Sequence, residues 1–147
     1  MSAARVLSSY NEERAVEDLH ATGRTDGLPV VVPTRERVER MLDGRDGEVA
    51  LGDVGPANRP ASVEAVAINA VMAGCLPEHL PVVLAAVEAV LDPVFDLTEV
   101  QSTTHNVAPL IIVNGPVRHT AKVASGAGAL GPGHRANAHA ERLSFCV

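Results

Sequence analysis

Two apolar stretches in the middle of the chain predict a pair of buried helices. From Ser62 to Ala73 the apolar side chains fall on nearly the whole helical circumference, which is typical of a helix buried on all sides. Ser62 is a favourable N-cap, and Gly74 lies where a helix-ending glycine is expected. A second apolar stretch continues to Leu91 and predicts another helix, opened by proline. The two form a predicted helical hairpin, which we expect to be the core of the fold.

Shorter patterns flank this hairpin. The apolar and polar positions of residues 1–25 predict one amphipathic helix that forms an N-terminal arm, followed by a single domain over residues 26–147. The fold class that we expect is α+β, with the buried helical hairpin packed on a small mixed sheet. The remaining elements predicted are a helix over 35–42 capped by Thr34, an edge strand over 48–51, a loop over 52–60, strands near 97–104 and 109–114, and a helix over 136–143.

Composition narrows the classes of partner. The net charge of −6 repels phosphate backbones, and only Tyr10, Phe95 and Phe145 offer rings on which bases stack, so nucleic-acid binding is not expected. A core of Ala, Val and Leu leaves flat apolar faces, which favours a homo-oligomer or a partner subunit. The N-terminus has no apolar signal region and no uninterrupted apolar span is long enough for a membrane, so we expect a cytoplasmic protein without membrane contact. Two cysteines fit a reducing compartment.

The glycine-rich tract over 125–137 is the leading candidate binding site. Glycine lets the backbone adopt positive φ, and consecutive free amides make a concavity that suits an anion. A flexible surface loop is the alternative. A dinucleotide site is disfavoured, because no strand directly precedes the G-x-G-x-x-G spelling and no long helix follows it. The candidate ligand-binding residues here are Ser125, Gly126, Gly128, Gly131, His134, Arg135 and Asn137.

Cys75 and His105 are the candidate catalytic residues. Cys75 follows the first core helix and has His79 four residues later, so it is either an activated nucleophile or an inert core thiol. His105 lies between two predicted strands, where it is either a general base or a turn residue. Thr104 and Asn114 are candidate substrate contacts. No ligand pair has the spacing of a metal site, and the sequence identifies no cofactor.

Several phrases together resemble a bacterial family associated with UGSC-motif (selenocysteine or cysteine) proteins. The UGSC tetrapeptide itself is absent, so the resemblance implies a redox or thiol-linked role only by association. After Asn137 the chain departs from the family, whose members continue into a longer apolar segment, which suggests a C-terminal truncation. The matching phrases are DGLPVVVPT (26–34), AINAVMAGC (67–75), LPVVLAAVEA (80–89), TTH (103–105), IVNGP (112–116) and SGAGALGPGHRAN (125–137).

The function expected from these features is that of an enzyme subunit acting on a small anionic organic substrate. Lyase, hydratase and thiol-dependent chemistry all fit the candidate residues. Two alternatives remain open at this point. The first is a non-catalytic partner subunit of a thiol or selenol redox protein, and the second is a degenerate, truncated homologue.

Overall fold

A computed structural model describes residues 11–131 and 133–143 as an α+β arrangement of short helices with one small sheet. Within these residues no helix combines the length and apolarity needed to cross a membrane. The elements in chain order are α1 (Glu12–Ala21), α2 (Arg35–Leu42), β1 (Ala50–Val54), β2 (Arg59–Ser62), α3 (Val63–Met72), a 3-10 turn (Pro77–His79), α4 (Leu80–Leu91), α5 (Leu97–Ser102), α6 (Val117–Thr120) and α7 (Arg135–Leu143).

The predicted helical hairpin is confirmed and forms the core. The Ser62 hydroxyl accepts a hydrogen bond from the Ala65 amide, so the expected N-cap starts α3. Helix α3 contacts α2 on one side and α4 on another, while α4 also packs on β1. The core cluster consists of Val38 and Met41 from α2, Val66, Ala67, Ala70 and Val71 from α3, Ala73 and Cys75 after it, and Leu80, Val83 and Val87 from α4.

Two predicted strands are wrong. Residues 97–102 form α5, because the Asp96 carboxylate accepts a hydrogen bond from the Glu99 amide and starts a helix despite the β-prone side chains that follow. Residues 109–114 are extended but belong to no sheet within the described part of the chain. Local composition thus predicted an extended backbone over 109–114 correctly but not its pairing.

The sheet of the described residues is instead an antiparallel hairpin of β1 and β2, not a mixed sheet. Its register pairs Gly52 with Ala61 and Val54 with Arg59, with an irregularity between Ala50 and Gly52. The predicted edge strand over 48–51 overlaps the start of β1, whereas the loop predicted over 52–60 is wrong at the end of β1 and the start of β2, because Gly-Pro and Arg-Pro steps usually interrupt strands. Pro60 is tolerated since a two-stranded sheet consists only of edge strands.

The ends of the described chain are tied to the helical core. Helix α1 covers part of the predicted arm and buries Ala15 and Leu19, while residues 1–10 lie outside the described residues. Arg37 of α2 forms an ion pair with Glu12 of α1 at 2.6 Å. Helix α7 contacts α3. The predicted helix over 136–143 is confirmed, beginning one residue earlier at Arg135.

Truncation of Leu80 tests the core. Its side chain is fully buried (0% exposed), and the cavity left by Leu80→Ala should lower the free energy of unfolding by about 2–5 kcal/mol. Val94→Ala is the matched control, because Val94 is 95% exposed and its truncation should change stability by less than about 0.5 kcal/mol. Urea titration followed by circular dichroism measures both, and equal midpoints would contradict this assignment of the core.

Candidate functional site

The glycine-rich loop is an exposed series of turns fastened by Asn137. The Asn137 amide nitrogen donates to the carbonyls of Ala124 and Ala129, and its oxygen accepts from the Ala124 amide. Two loop amides, those of Ala129 and Gly131, are already bonded to loop carbonyls. The bonds to Asn137 and the bonds within the loop together fix its shape. The amides of Ala124, Ala129 and Gly131 are therefore not available to an anion.

The other candidates in this loop lie at its surface. Gly126 and Gly128 adopt the left-handed conformation that the sequence anticipated, with φ of +86° and +83°. Ser125 accepts a hydrogen bond from Arg118 through its hydroxyl at 3.1 Å. Gly131 is half-buried, and His134 is exposed at the start of α7, where its carbonyl accepts from the Ala138 amide. Their roles in ligand binding stay predictions.

Arg135 contacts the core rather than the loop. Its Nε and Nη2 donate to the Gly74 carbonyl at 3.2 and 2.7 Å. The Nδ1 of His139, one turn further along α7, donates to the same oxygen at 2.8 Å. We call this meeting of Gly74, Arg135 and His139 the Gly74 junction. Arg135 was a candidate ligand-binding residue, but two of its guanidinium nitrogens are engaged by this backbone carbonyl.

Cys75 lies next to this junction and is buried. Burial raises the pKa of its thiol to about 11, and the nearby positive charge of Arg135 offsets this only in part. The neighbouring His79 is also buried, and its Nδ1 accepts from the Leu76 amide. Burial lowers the pKa of His79, so its imidazole is neutral at neutral pH. Burial and the raised pKa of the thiol favour the alternative of an inert core thiol over an activated thiolate, and the catalytic role of Cys75 stays a prediction.

The remaining candidates do not join this cluster. Thr104, His105 and Asn114 are all exposed, and His105 makes a local contact from its Nδ1 to the Thr103 hydroxyl at 3.1 Å. No hydrogen bond or ion pair links these three to the Gly74 junction within the described residues. The structure thus brings Cys75 and Arg135 together and leaves His105 and Asn114 apart from them.

A cleft of about 250 Å³ is lined by residues from three parts of the chain, and we call it the Arg142 cleft. The segment before α2 forms one wall, the C-terminal end of α3 another, and α7 contributes Arg142. At about 30 Å³ per water molecule, it has room for roughly eight waters or a small organic molecule. The lining residues are Gly23, Arg24, Thr25, Asp26, Val30, Asn69, Met72, Ala73 and Arg142.

An ion pair between Asp26 and Arg142 fixes the cleft wall. Nε and Nη2 of Arg142 contact the two carboxylate oxygens of Asp26, each at 2.6 Å. Nη1 of Arg142 also donates to the Pro29 carbonyl at 2.7 Å. Hydrogen bonding to Arg142 lowers the pKa of Asp26 to about 2, so the carboxylate is ionised at neutral pH and balances the Arg142 charge.

Thr25 and His20 form a second polar feature at this cleft. The Thr25 hydroxyl lies 2.9 Å from Nδ1 of His20, and it accepts a hydrogen bond from the Gly27 amide at 3.2 Å. The hydroxyl keeps its own hydrogen, which it donates to Nδ1 in the tautomer of His20 whose Nδ1 carries no proton. None of these residues was predicted to be part of a site. The polar residues of the turn over 22–27 are evident in the sequence, but nothing in them indicates that Arg142 of α7 contacts the turn at Asp26.

The titratable residues of the described chain do not assemble a metal centre. No group of three or more His, Cys, Asp or Glu side chains in residues 11–131 and 133–143 is arranged to hold a metal ion. Arg24 and Arg142 both line the Arg142 cleft, so its lining carries two guanidinium groups against the one carboxylate of Asp26. What this arrangement supports chemically is binding of an anion with a hydroxyl–imidazole pair beside it.

Substitution of Gly74 tests the junction. Gly74 has φ of +83°, and a Cβ atom there would lie 2.8 Å from Cε1 of His139. Gly74→Ala should therefore lower the free energy of unfolding by about 2–4 kcal/mol, because backbone strain adds to displacement of α7. Gly23→Ala is the matched control: φ is +65° but nothing lies within 4 Å of the new Cβ, so only about 1 kcal/mol is expected. Chemical denaturation of both variants gives the comparison, and equal losses would argue against the close packing of α7.

The Asp26–Arg142 pair should make stability depend on acid pH. The folded-state pKa of Asp26, about 2, lies below its ordinary value of 3.8, so its contribution is complete above pH 4 and is lost as the pH falls from about 4 to 2. Urea midpoints measured across this range should fall less steeply for Asp26→Asn than for the natural chain. Asp53→Asn, an exposed substitution in β1, is the control and should keep the natural slope. The same slope for all three proteins would show that the pair does not form.

Comparisons with known proteins add nothing to this geometry. No family model, no curated protein and no solved structure matches the chain. The resemblance to the family associated with UGSC-motif proteins therefore stays a prediction. The candidate site is defined by the contacts of the Arg142 cleft and the Gly74 junction alone.

Proposed function

We propose that the protein is an enzyme subunit that binds a small anionic organic substrate in the Arg142 cleft. The observation that carries this proposal is a charge imbalance in the cleft wall. Arg142 is balanced by Asp26, whereas Arg24 forms no ion pair with any residue in the described part of the chain. One guanidinium thus remains to pair with a carboxylate or phosphate of a ligand.

The size and the mixed character of the lining support a small ligand. Val30, Met72 and Ala73 offer apolar contact, while Thr25 and Asn69 offer polar groups. The Asn69 side-chain nitrogen donates to the Ala65 carbonyl at 2.9 Å. The side-chain oxygen of Asn69 is then the atom that can accept a hydrogen bond from a ligand. A few polar groups among apolar side chains are typical of sites that orient small molecules.

The Thr25–His20 pair is the group to which we assign proton transfer. Imidazole is a common general acid and base in enzymes, and the Thr25 hydroxyl, 2.9 Å from Nδ1 of His20, can relay a proton between a bound ligand and the ring. This favours lyase or hydratase chemistry among the reactions expected from the sequence. Thiol-dependent chemistry is disfavoured, because the Cys75 thiol is buried and its pKa is raised to about 11.

A second candidate function, a non-catalytic partner subunit, is favoured by one separate observation. Large apolar side chains are exposed away from the cleft, among them Val94, Leu110, Ile112 and Leu130. Such exposure fits assembly with another protein surface. Assembly and ligand binding are compatible, so this candidate replaces the first only if the cleft binds no anion.

Thermal unfolding in the presence of small carboxylates and phosphates tests the cleft. A ligand at ten times its Kd stabilises the folded state by about 1.4 kcal/mol, which for a chain of this size raises Tm by roughly 4 °C. Arg24→Gln should abolish the increase with little change in the ligand-free Tm, because Arg24 is exposed. Arg40→Gln, on the exposed face of α2, removes the same charge outside the cleft and should keep the increase.

The pattern across variants separates the outcomes. Loss of the Tm increase in Arg24→Gln alone supports an anion site at the cleft. Equal loss in both variants would show that only net charge matters, and no increase with any carboxylate or phosphate in the natural chain would overturn the proposal.

A further inference from the structure

The extended segment over 109–114 has the side-chain alternation of a β-strand. Ile111 and Val113 are half-buried, whereas Leu110 and Ile112 between them are 71% and 74% exposed. Alternation with period two is what a pleated strand with one face on a protein surface requires. The segment therefore presents two large apolar side chains to its surroundings.

The backbone of this segment makes no hydrogen bond with the described part of the chain. Within residues 11–131 and 133–143, no hydrogen bond involves the amides or carbonyls of residues 110–113, and the nearest bonds in sequence join the Arg118 amide to the Gly115 carbonyl and the Val107 amide to the His105 carbonyl. Unpaired groups along an extended strand are a template for pairing with another strand. Lysine, glutamate or a covering helix usually blocks such an edge; residues 110–113 contain no charged side chain, and no helix of the described residues pairs with their backbone.

The absence of charged residues around this segment favours an uncharged partner strand, and a second copy of the same segment is such a strand. Between Glu99 and Arg118 the sequence contains no Asp, Glu, Lys or Arg. A charged partner strand would have to lose its hydration against Leu110 and Ile112 without gaining an ion pair. Two copies of this segment meet without repulsion and without burying any charge.

We infer that residues 110–112 pair antiparallel with the same residues of a second copy of the chain. Opposed residues in an antiparallel pair point to the same face of the sheet, so exposed Leu110 must oppose an exposed residue. Centring the two-fold axis on Ile111 places Leu110 of each copy opposite Ile112 of the other, whereas centring it on Ile112 places Leu110 opposite Asn114. Matching of apolar side chains selects the first register, and the resulting contact is isologous.

The neighbouring residues limit the strand to this length. Pro109 has no amide hydrogen to donate, and Gly115 turns the chain with φ of +81° before Pro116. The contact lies on residues that do not line the Arg142 cleft, so the inference does not depend on the proposed function.

Charge complementation between two variants tests the register. Leu110→Lys and Ile112→Glu should each weaken self-association by at least about tenfold, because each places a charge opposite an apolar side chain. An equal mixture of the two variants should associate again, since the introduced lysine of one copy then opposes the introduced glutamate of the other. Val94→Lys, which adds a charge at an exposed site outside the segment, should associate like the natural chain. Sedimentation equilibrium at tens of micromolar gives the masses, and circular dichroism confirms that each variant is folded.

Hydrogen exchange of the amides of residues 110–113 distinguishes pairing between two copies from coverage of the strand by another part of the same chain. Dimers with protected amides, disrupted in the two single variants and restored in the mixture, support the inference. A monomeric natural chain overturns it, and a monomer with protected amides would show that another part of the same chain covers the strand. Dimers insensitive to Leu110→Lys would also overturn it, since a different surface would then join the copies.

Discussion

One backbone oxygen, the carbonyl of Gly74, determines how the last helix meets the core. Helix α3 ends at a glycine in the left-handed conformation, which leaves carbonyls without partners inside the helix. Arg135 and His139 both donate to that of Gly74. A side chain at Gly74 would occupy the position of the His139 ring. The sequence requirement for glycine and the docking of α7 are therefore the same constraint.

This junction also positions the cleft. Arg142 is seven residues after Arg135, about two helical turns further along α7, and so lies on the same face of the helix. With Arg135 held at the end of α3, Arg142 reaches Asp26 in the segment before α2. The Gly74 junction therefore positions the wall of the cleft. The ligand site that we propose depends on contacts at Gly74, which does not itself line the cleft.

The parts of the fold that sequence predicts well are those governed by local rules. The helical hairpin follows from continuous apolar spacing, and the ends of α3 follow from a serine cap and a glycine. Only the start of β1 was predicted, as part of the edge strand over 48–51, and β2 was missed because Arg59-Pro60 resembles a loop step. Helix α5 was missed because the Asp96 cap outweighs the β-branched side chains of Thr98 and Val100. The site was harder for a different reason. Arg135 is a good anion ligand in isolation, but it is used by a carbonyl that lies 61 residues away in sequence, and only the tertiary packing reveals this.

The contact between Arg142 and Asp26 joins residues separated by 116 positions. Closing so long a loop is entropically unfavourable until the intervening helices have packed, so this contact belongs to the last stage of assembly. During synthesis on the ribosome the segment before α2 is made before α7, so the cleft wall cannot form until α7 has been synthesised. A ligand held there would bind only the finished chain, and its affinity would be added to the stability of the fold as a whole.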